Sequence, residues 1–225
     1  MNEWDLQATL TQRWLASPPD INPFGKMDLV AWELMFPSWD INYKTTRWDE
    51  PSIDFVFLSQ AGAFVLVELK NVIPDRSRFL SACCQVSHRA VQFVNTYSKE
   101  RLQKAFDYCM QGACGRSIAE SSATNRIATR LTNLSSSRED LSIYRVVAAT
   151  SFPKKHEALL DQINGSSYLD MLRIIGVPTK TAKERKRFHS LAARDYDRLR
   201  SNQIALFSVP TIAPAHIDQC HPSTK

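Results

Sequence analysis

The sequence predicts an α/β domain in which helices cover a central sheet, and three observations carry that expectation. Ile53 to Leu58 and Phe64 to Leu69 are β-rich runs separated only by Ser59-Gln60-Ala61-Gly62-Ala63, a hairpin signal. Phe79, Cys83, Val86, Ala90, Phe93 and Tyr97 recur every three or four residues, which makes 78–97 an amphipathic helix. Tyr144 to Thr150 reads as a further buried strand.

The remaining elements fall around these in chain order. Leu6, Leu10, Trp14 and Leu15 stand at helical spacing over Asp5 to Leu15, and Ser17-Pro18-Pro19 ends that helix in a stiff linker. Leu29 to Phe36 is almost wholly apolar, opened by Asp28 and stopped by Pro37, and reads as a buried helix with Glu33 as its one interior charge. Asp40 to Trp48 alternates loosely, as an extended segment does. A second helix is expected over Glu100 to Met110. Glu120 to Ser137, rich in Ser, Thr and Asn, lacks strong periodicity and reads as an excursion. A helix is expected from Lys154 to Ile163, another around Lys183 to Arg200, and an edge strand from Ile204 to Val209. No internal repeat is visible. The middle of the chain thus runs helix, strand, strand, strand, helix, strand, an order that several α/β arrangements share.

Composition narrows the function classes. At 225 residues and 44% hydrophobic content the chain can bury a proper core, and its longest apolar runs fall far short of the roughly 20 residues a membrane span requires. Glu3 and Asp5 near the start, with no basic residue, are the opposite of a signal peptide's entry region. Five cysteines at irregular positions suit reduced thiols, so a cytoplasmic protein is expected. No phosphate-binding glycine loop, dinucleotide fingerprint or serine nucleophile elbow is present. The net charge of +5 is unevenly placed. Between Pro178 and Arg200 eight basic residues stand against three acids, an excess equal to that of the whole chain and suited to attracting a polyanion.

The charges within the hairpin carry the chemistry. With a three-residue loop, Gln60-Ala61-Gly62, the glycine falls where a left-handed residue is needed beside a bulge. Paired residues then sum to 122, so Asp54 faces Glu68 directly, and Lys70 points to the same sheet face. Otherwise these strands are apolar on both faces: Phe55 and Phe57 with Val65 and Val67, Val56 and Leu58 with Phe64 and Leu66. Two carboxylates and an amine at the end of such a central strand suffer desolvation and like-charge repulsion, which a cation or a substrate would offset.

Ile53-Asp54, followed after thirteen residues by Glu68-Leu69-Lys70 with Val65-Leu66-Val67 leading in, resembles the PD-(D/E)xK signature of the restriction-endonuclease-like nuclease superfamily. Ile53 stands where that signature formally has proline. The resemblance covers residues 27–151, leaving 1–26 as an N-terminal helix and linker and 152–225 as a basic extension packed on the core. It implies a central mixed β-sheet flanked by helices, and hydrolysis of phosphodiester bonds, in DNA before RNA, with Mg²⁺ or Mn²⁺. Asp54, Glu68 and the carbonyl of Leu69 would hold the ion as hard oxygen ligands. Lys70 would orient or deprotonate the attacking water, and the ion would offset charge on the phosphate. Glu33 is the expected fourth acid, both metal ligand and catalytic residue, because the helix before the core strands often supplies one in this family. Gln85 is similar to a glutamine that follows the Glu-x-Lys strand in some branches, and with Arg89 and Gln92 it forms a polar stripe at helical spacing; Arg89 stands where those branches carry tyrosine. A homodimer or larger complex would supply the two sites that cutting two strands requires. The rival reading is a subunit that keeps the nuclease fold and binds nucleic acid without turnover.

Lys183, Arg185, Lys186, Arg187 and, on the helical stripe, Arg89 are the expected contacts to nucleic acid. Neutralising two of Lys183, Arg185, Lys186 and Arg187 is expected to weaken DNA binding alike for all sequences. In a salt titration it should flatten the slope of log affinity on log salt by about two, at roughly 0.9 per lost phosphate contact. An unchanged slope would assign the segment to another role.

Overall fold

The computed structural model describes residues 2–21, 24–35, 52–112, 122–134, 141–166 and 204–209. Its architecture is α/β: a mixed six-stranded sheet flanked by helices. The expected extended segment at 40–48 and the basic stretch containing Lys183, Arg185, Lys186 and Arg187 lie outside the described residues.

The central hairpin forms as its residues require. Strand β3 (Ser52–Ser59) pairs antiparallel with β4 (Phe64–Val72), with Phe55 opposite Val67 and Leu58 opposite Phe64. The Ser59 N–H bonds the Ala63 carbonyl at 2.9 Å, which closes a loop of Gln60, Ala61 and Gly62. Gly62 takes φ +84°, the left-handed conformation such a loop needs. On one face, the indole of Trp14 from α1 (Glu3–Ala16) packs edge-on against Phe55 and Phe57 at 4.9 and 5.3 Å between ring centroids. On the other, Phe93 and Tyr97 at the end of α2 (Arg76–Thr96) lie 5.1 and 5.8 Å from Phe64. Each fully buried phenylalanine contributes about 1.5–3 kcal/mol to folding through the surface it removes from water. The Asp75 carboxylate caps α2 by accepting from the Arg78 N–H at 2.9 Å.

The sheet extends from the hairpin in both directions. The two-residue β1 (Asp20–Ile21) pairs with β2 (Gly25–Met35), and β2 pairs antiparallel with β3 through a shift between Leu29 and Ala31. On the other side β5 (Ile143–Ser151) runs parallel to β4, and β6 (Ile204–Ser208) runs parallel to β5. Between β4 and β5 the chain passes through α2, α3 (Lys99–Gly112) and α4 (Ser122–Thr132); α5 (Lys155–Asn164) lies between β5 and β6. Parallel neighbours need such crossovers. No helix among the described residues is long and apolar enough to cross a membrane.

Two expectations are corrected. Of Leu29 to Phe36, read as a buried helix, Leu29 to Met35 belong instead to β2, because a short run that is apolar on all sides gives no periodicity to separate a buried helix from a buried strand. Of the expected helix-strand-strand-strand-helix-strand order, the first helix is thus a strand and the first strand, 40–48, lies outside the described residues, while the hairpin, the following helix and the later strand form as β3, β4, α2 and β5. The second correction is α4, a helix within the stretch read as an excursion. Its apolar signal is a single spaced pair, Ile127 and Leu131, each 3% exposed. Its docking is instead electrostatic: Arg126 and Arg130 each reach the buried Asp28 carboxylate at 2.5 Å, and Arg130 also donates to the Ser59 carbonyl at the hairpin turn.

Gly62→Ala tests the loop. No heavy atom lies within 4 Å of a Cβ built there, so its cost comes from the left-handed backbone, about 1–2 kcal/mol. Urea unfolding is expected to read a loss of that size; an unchanged midpoint would mean a different loop conformation and a different register.

Candidate active site

The hairpin register brings Asp54 and Glu68 together. Beyond the Phe55–Val67 pair the ladder ends, and the Leu69 N–H turns to the Asp54 carboxylate instead, at 2.5 Å to Oδ2. Asp54 is 7% and Glu68 5% exposed. Lys70 Nζ lies 2.9 Å from Glu68 Oε1 and 3.3 Å from Glu3 Oε1. On the other flank of β3, the pairs Trp32–Phe55 and Leu34–Ile53 bracket Glu33 and Asp54. Three acids therefore occupy one row across β2, β3 and β4.

Burial sets their electrostatics. Desolvation, followed by the charges of Glu68 and Glu33, lifts the Asp54 carboxyl well above the ordinary range, against the Leu69 hydrogen bond. Glu68 is also raised, chiefly by desolvation, despite its ion pair with Lys70. At Lys70 burial favours the neutral amine, but Glu68, Asp54 and Glu3 together outweigh it and raise the ammonium's pKa. Lys70, paired with two carboxylates, presents its N–H donors where they can orient an anion or a water.

The other expected residues take distinct places. Glu33 sits on a strand, not on the expected helix, because the run that carries it is β2. Its carboxylate accepts from the Ser52 hydroxyl at 2.8 Å, and burial raises its pKa against hydrogen bonds from Ser52 and Gln7. Its φ of +52° makes it the one non-glycine residue with positive φ among the described residues. Arg89 is turned inward. Its Nε donates to the Ser52 carbonyl at 2.7 Å and its Nη1 to Gln92 Oε1 at 3.1 Å, in the field of Glu68 and Asp54. The guanidinium thus ties α2 to the start of β3. Gln85 lines a cleft of about 350 Å³ together with Lys70, and its buried Oε1 has no hydrogen-bond partner among the described residues. Leu69 is fully buried between Glu68 and Lys70.

Sequence reasoning missed Glu3. Its carboxylate reaches Lys70 from the first turn of α1 and lines the same cleft, as do Asn71, Arg78 and Ser81. The signal was present: carrying the Leu6, Leu10, Trp14 spacing back by three residues places Glu3 on the packed face of α1, next to the buried Gln7. Among the described residues no three His, Cys, Asp or Glu side chains form a group that could hold a metal ion. An ion held here would need the Asp54 and Glu68 carboxylates completed by a backbone carbonyl and water.

The strain at Glu33 gives a stability prediction. Glycine in place of an unstrained strand residue costs roughly 0.5–1 kcal/mol, whereas the left-handed backbone here costs glutamate about 1–2 kcal/mol. Glu33→Gly is therefore expected to keep or raise stability, by up to about 1.5 kcal/mol in urea unfolding. A clear loss would show that the bonds to Ser52 and Gln7 outweigh the strain.

The chain matches no protein-family model, no curated protein and no solved structure. The residues and geometry of the site are what a functional reading rests on.

Proposed function

We propose that the protein is a metal-dependent nuclease of restriction-endonuclease-like fold that hydrolyses phosphodiester bonds in DNA. The observation that carries the reading is the meeting of Asp54 and Glu68, both buried and both with raised pKa, beside an ammonium that lines a cleft. Two carboxylates held together against repulsion and desolvation form a donor set that a hard divalent cation relieves. The succession α1, β2, β3, β4, α2, β5, with β1 and α3 and α4 interposed, lends support, since it is the helix-strand-strand-strand-helix-strand order of the superfamily that the Asp54, Glu68-Leu69-Lys70 pattern resembles.

The chain's own groups then divide the work. Asp54 and Glu68 would hold Mg²⁺ or Mn²⁺, with the Leu69 carbonyl as the third donor. The Leu69 N–H points at Asp54, and a strand residue's N–H and C=O leave on the same edge. That N–H also fixes one Asp54 oxygen, so the carboxylate is oriented before any ligand arrives. A bound divalent ion supplies positive charge against the phosphate and acidifies a water. Lys70, held protonated by its acids, orients the attacking water and faces the developing negative charge on phosphate oxygens. Glu3 competes for the Lys70 ammonium and positions it toward the cleft. Gln85 offers a carboxamide on the same wall.

The three charged positions are expected to fail differently. Lys70→Ala should keep binding of divalent ions and DNA while cleavage falls on the order of a hundredfold or more. Asp54→Ala and Glu68→Ala should lose cleavage together with ion affinity. Calcium, less exacting in geometry, should support DNA binding with little cutting in the unaltered protein. Calorimetry for the ion and a plasmid and oligonucleotide cleavage assay read these outcomes. A folded protein that cuts nothing in Mg²⁺ or Mn²⁺ and binds DNA without regard to metal would instead be a non-catalytic nucleic-acid-binding subunit.

A further inference from the structure

Among the described residues two large apolar side chains are exposed, Trp4 at 48% and Val72 at 44%. Val72 lines the cleft. Trp4 follows Glu3, which also lines it, and the Trp4 ring lies 5.2 Å from that of Trp32, inclined by 38°. Trp32 in turn precedes Glu33 and points its indole N–H toward Gln7 Oε1 at 3.5 Å. Each tryptophan of the pair is thus the chain neighbour of an acid of the site. The inner ring is fixed between α1 and β2, and the outer ring rests on it with much of its surface in solvent.

A single exposed apolar residue usually needs no explanation. An indole held on a second indole, one residue along α1 from the cleft-lining Glu3, is different, because it is a flat, preorganised surface whose position costs a ligand little to exploit. The cleft that Glu3 lines carries two cations, Lys70, which Glu3 also meets, and Arg78, together with the carboxamides of Asn71 and Gln85. At about 350 Å³ it is near the lower end of ligand-pocket volumes. Cations for a phosphate and an aromatic face for a base are what a strand with unpaired bases presents itself to. Within a duplex the base faces are already stacked on one another and have none to offer.

We propose that the cleft receives an unpaired segment of nucleic acid, its phosphate between Lys70 and Arg78 and the adjoining base stacked on Trp4. This rests on the nuclease reading and adds the strandedness of the substrate: a single strand, an overhang or a flap is taken, and a blunt duplex is not.

The test uses the full-length chain with a single-stranded oligodeoxynucleotide, the matching blunt duplex, and a duplex with a single-stranded overhang. Binding is read by anisotropy of a labelled strand in Ca²⁺, and cutting is read separately in Mg²⁺ and Mn²⁺. Trp4→Leu keeps an apolar cover over Trp32 but removes the aromatic face, and is expected to raise the Kd for the single strand about tenfold while leaving duplex binding unchanged. Trp4→Phe should retain most of the affinity, which a loss of folding would not. Quenching of tryptophan fluorescence by the single strand should diminish in both variants. Equal binding and cutting of single strand and blunt duplex, both untouched by Trp4→Leu, would overturn the stacking and leave the nuclease reading standing. Stacking-dependent binding without cleavage of any substrate would overturn the nuclease reading and leave the stacking.

Discussion

Side chains on a strand alternate between faces with a period of two, so pairing register alone decides which residues can meet. Slipping β3 against β4 by one residue would set Asp54 opposite Val67 or Leu69 and turn it to the other face of the sheet, away from Glu68. The three-residue turn, with Gly62 at φ +84°, fixes the register that places it opposite Glu68. The contact of Asp54 with the Leu69 N–H is a consequence of that turn; Lys70, two residues beyond Glu68 on the same strand, adds its ion pair, and the separate register of β2 against β3 brings Glu33 into the row. Central apolar side chains on both faces then bury the result, and burial is what gives the charges their unusual proton affinities.

Such an arrangement is poor for stability. Replacing buried ionic groups by apolar ones of similar volume is often neutral or favourable. The protein keeps three acids in that row, answers them with Lys70 and Arg89, and holds Glu33 in a left-handed backbone. Local cost concentrated at one end of a well-packed sheet is the pattern expected where stability has been traded for chemistry.

The sheet's centre was legible from sequence because its signals are local. Turn length, glycine position and alternating faces are all contained in 53–70, and they gave the register and the meeting of Asp54, Glu68 and Lys70. The amphipathic spacing in 78–97 and the β-rich run at 144–150 likewise survive as α2 and β5. What was lost depended on distant partners. β2 is a strand because β3 offers it a ladder, not because Leu29 to Met35 differs in pattern from a buried helix. The helicity of α4 is supported by Arg126 and Arg130 finding Asp28 nearly a hundred residues away, which no window of sequence contains. Glu3 joined the site for the same reason, across 67 residues to Lys70. Arg89, read as a surface contact for nucleic acid, turned inward because Ser52 and the acids lay behind it.

The clasp between α4 and the hairpin also has a meaning in time. Asp28 and Arg130 are separated by 102 residues, and Arg130 and Ser59 by 71, whereas the two strands of the hairpin are joined by three. Contacts between distant residues must first overcome the entropy of closing a long loop, so local pairings form readily and remote ones wait for them. As the chain folds, β3 and β4 can come together while α4 is still far away. The helix that locks the turn docks onto a turn already made, and the acids of the hairpin become neighbours before the rest of the protein has closed around them.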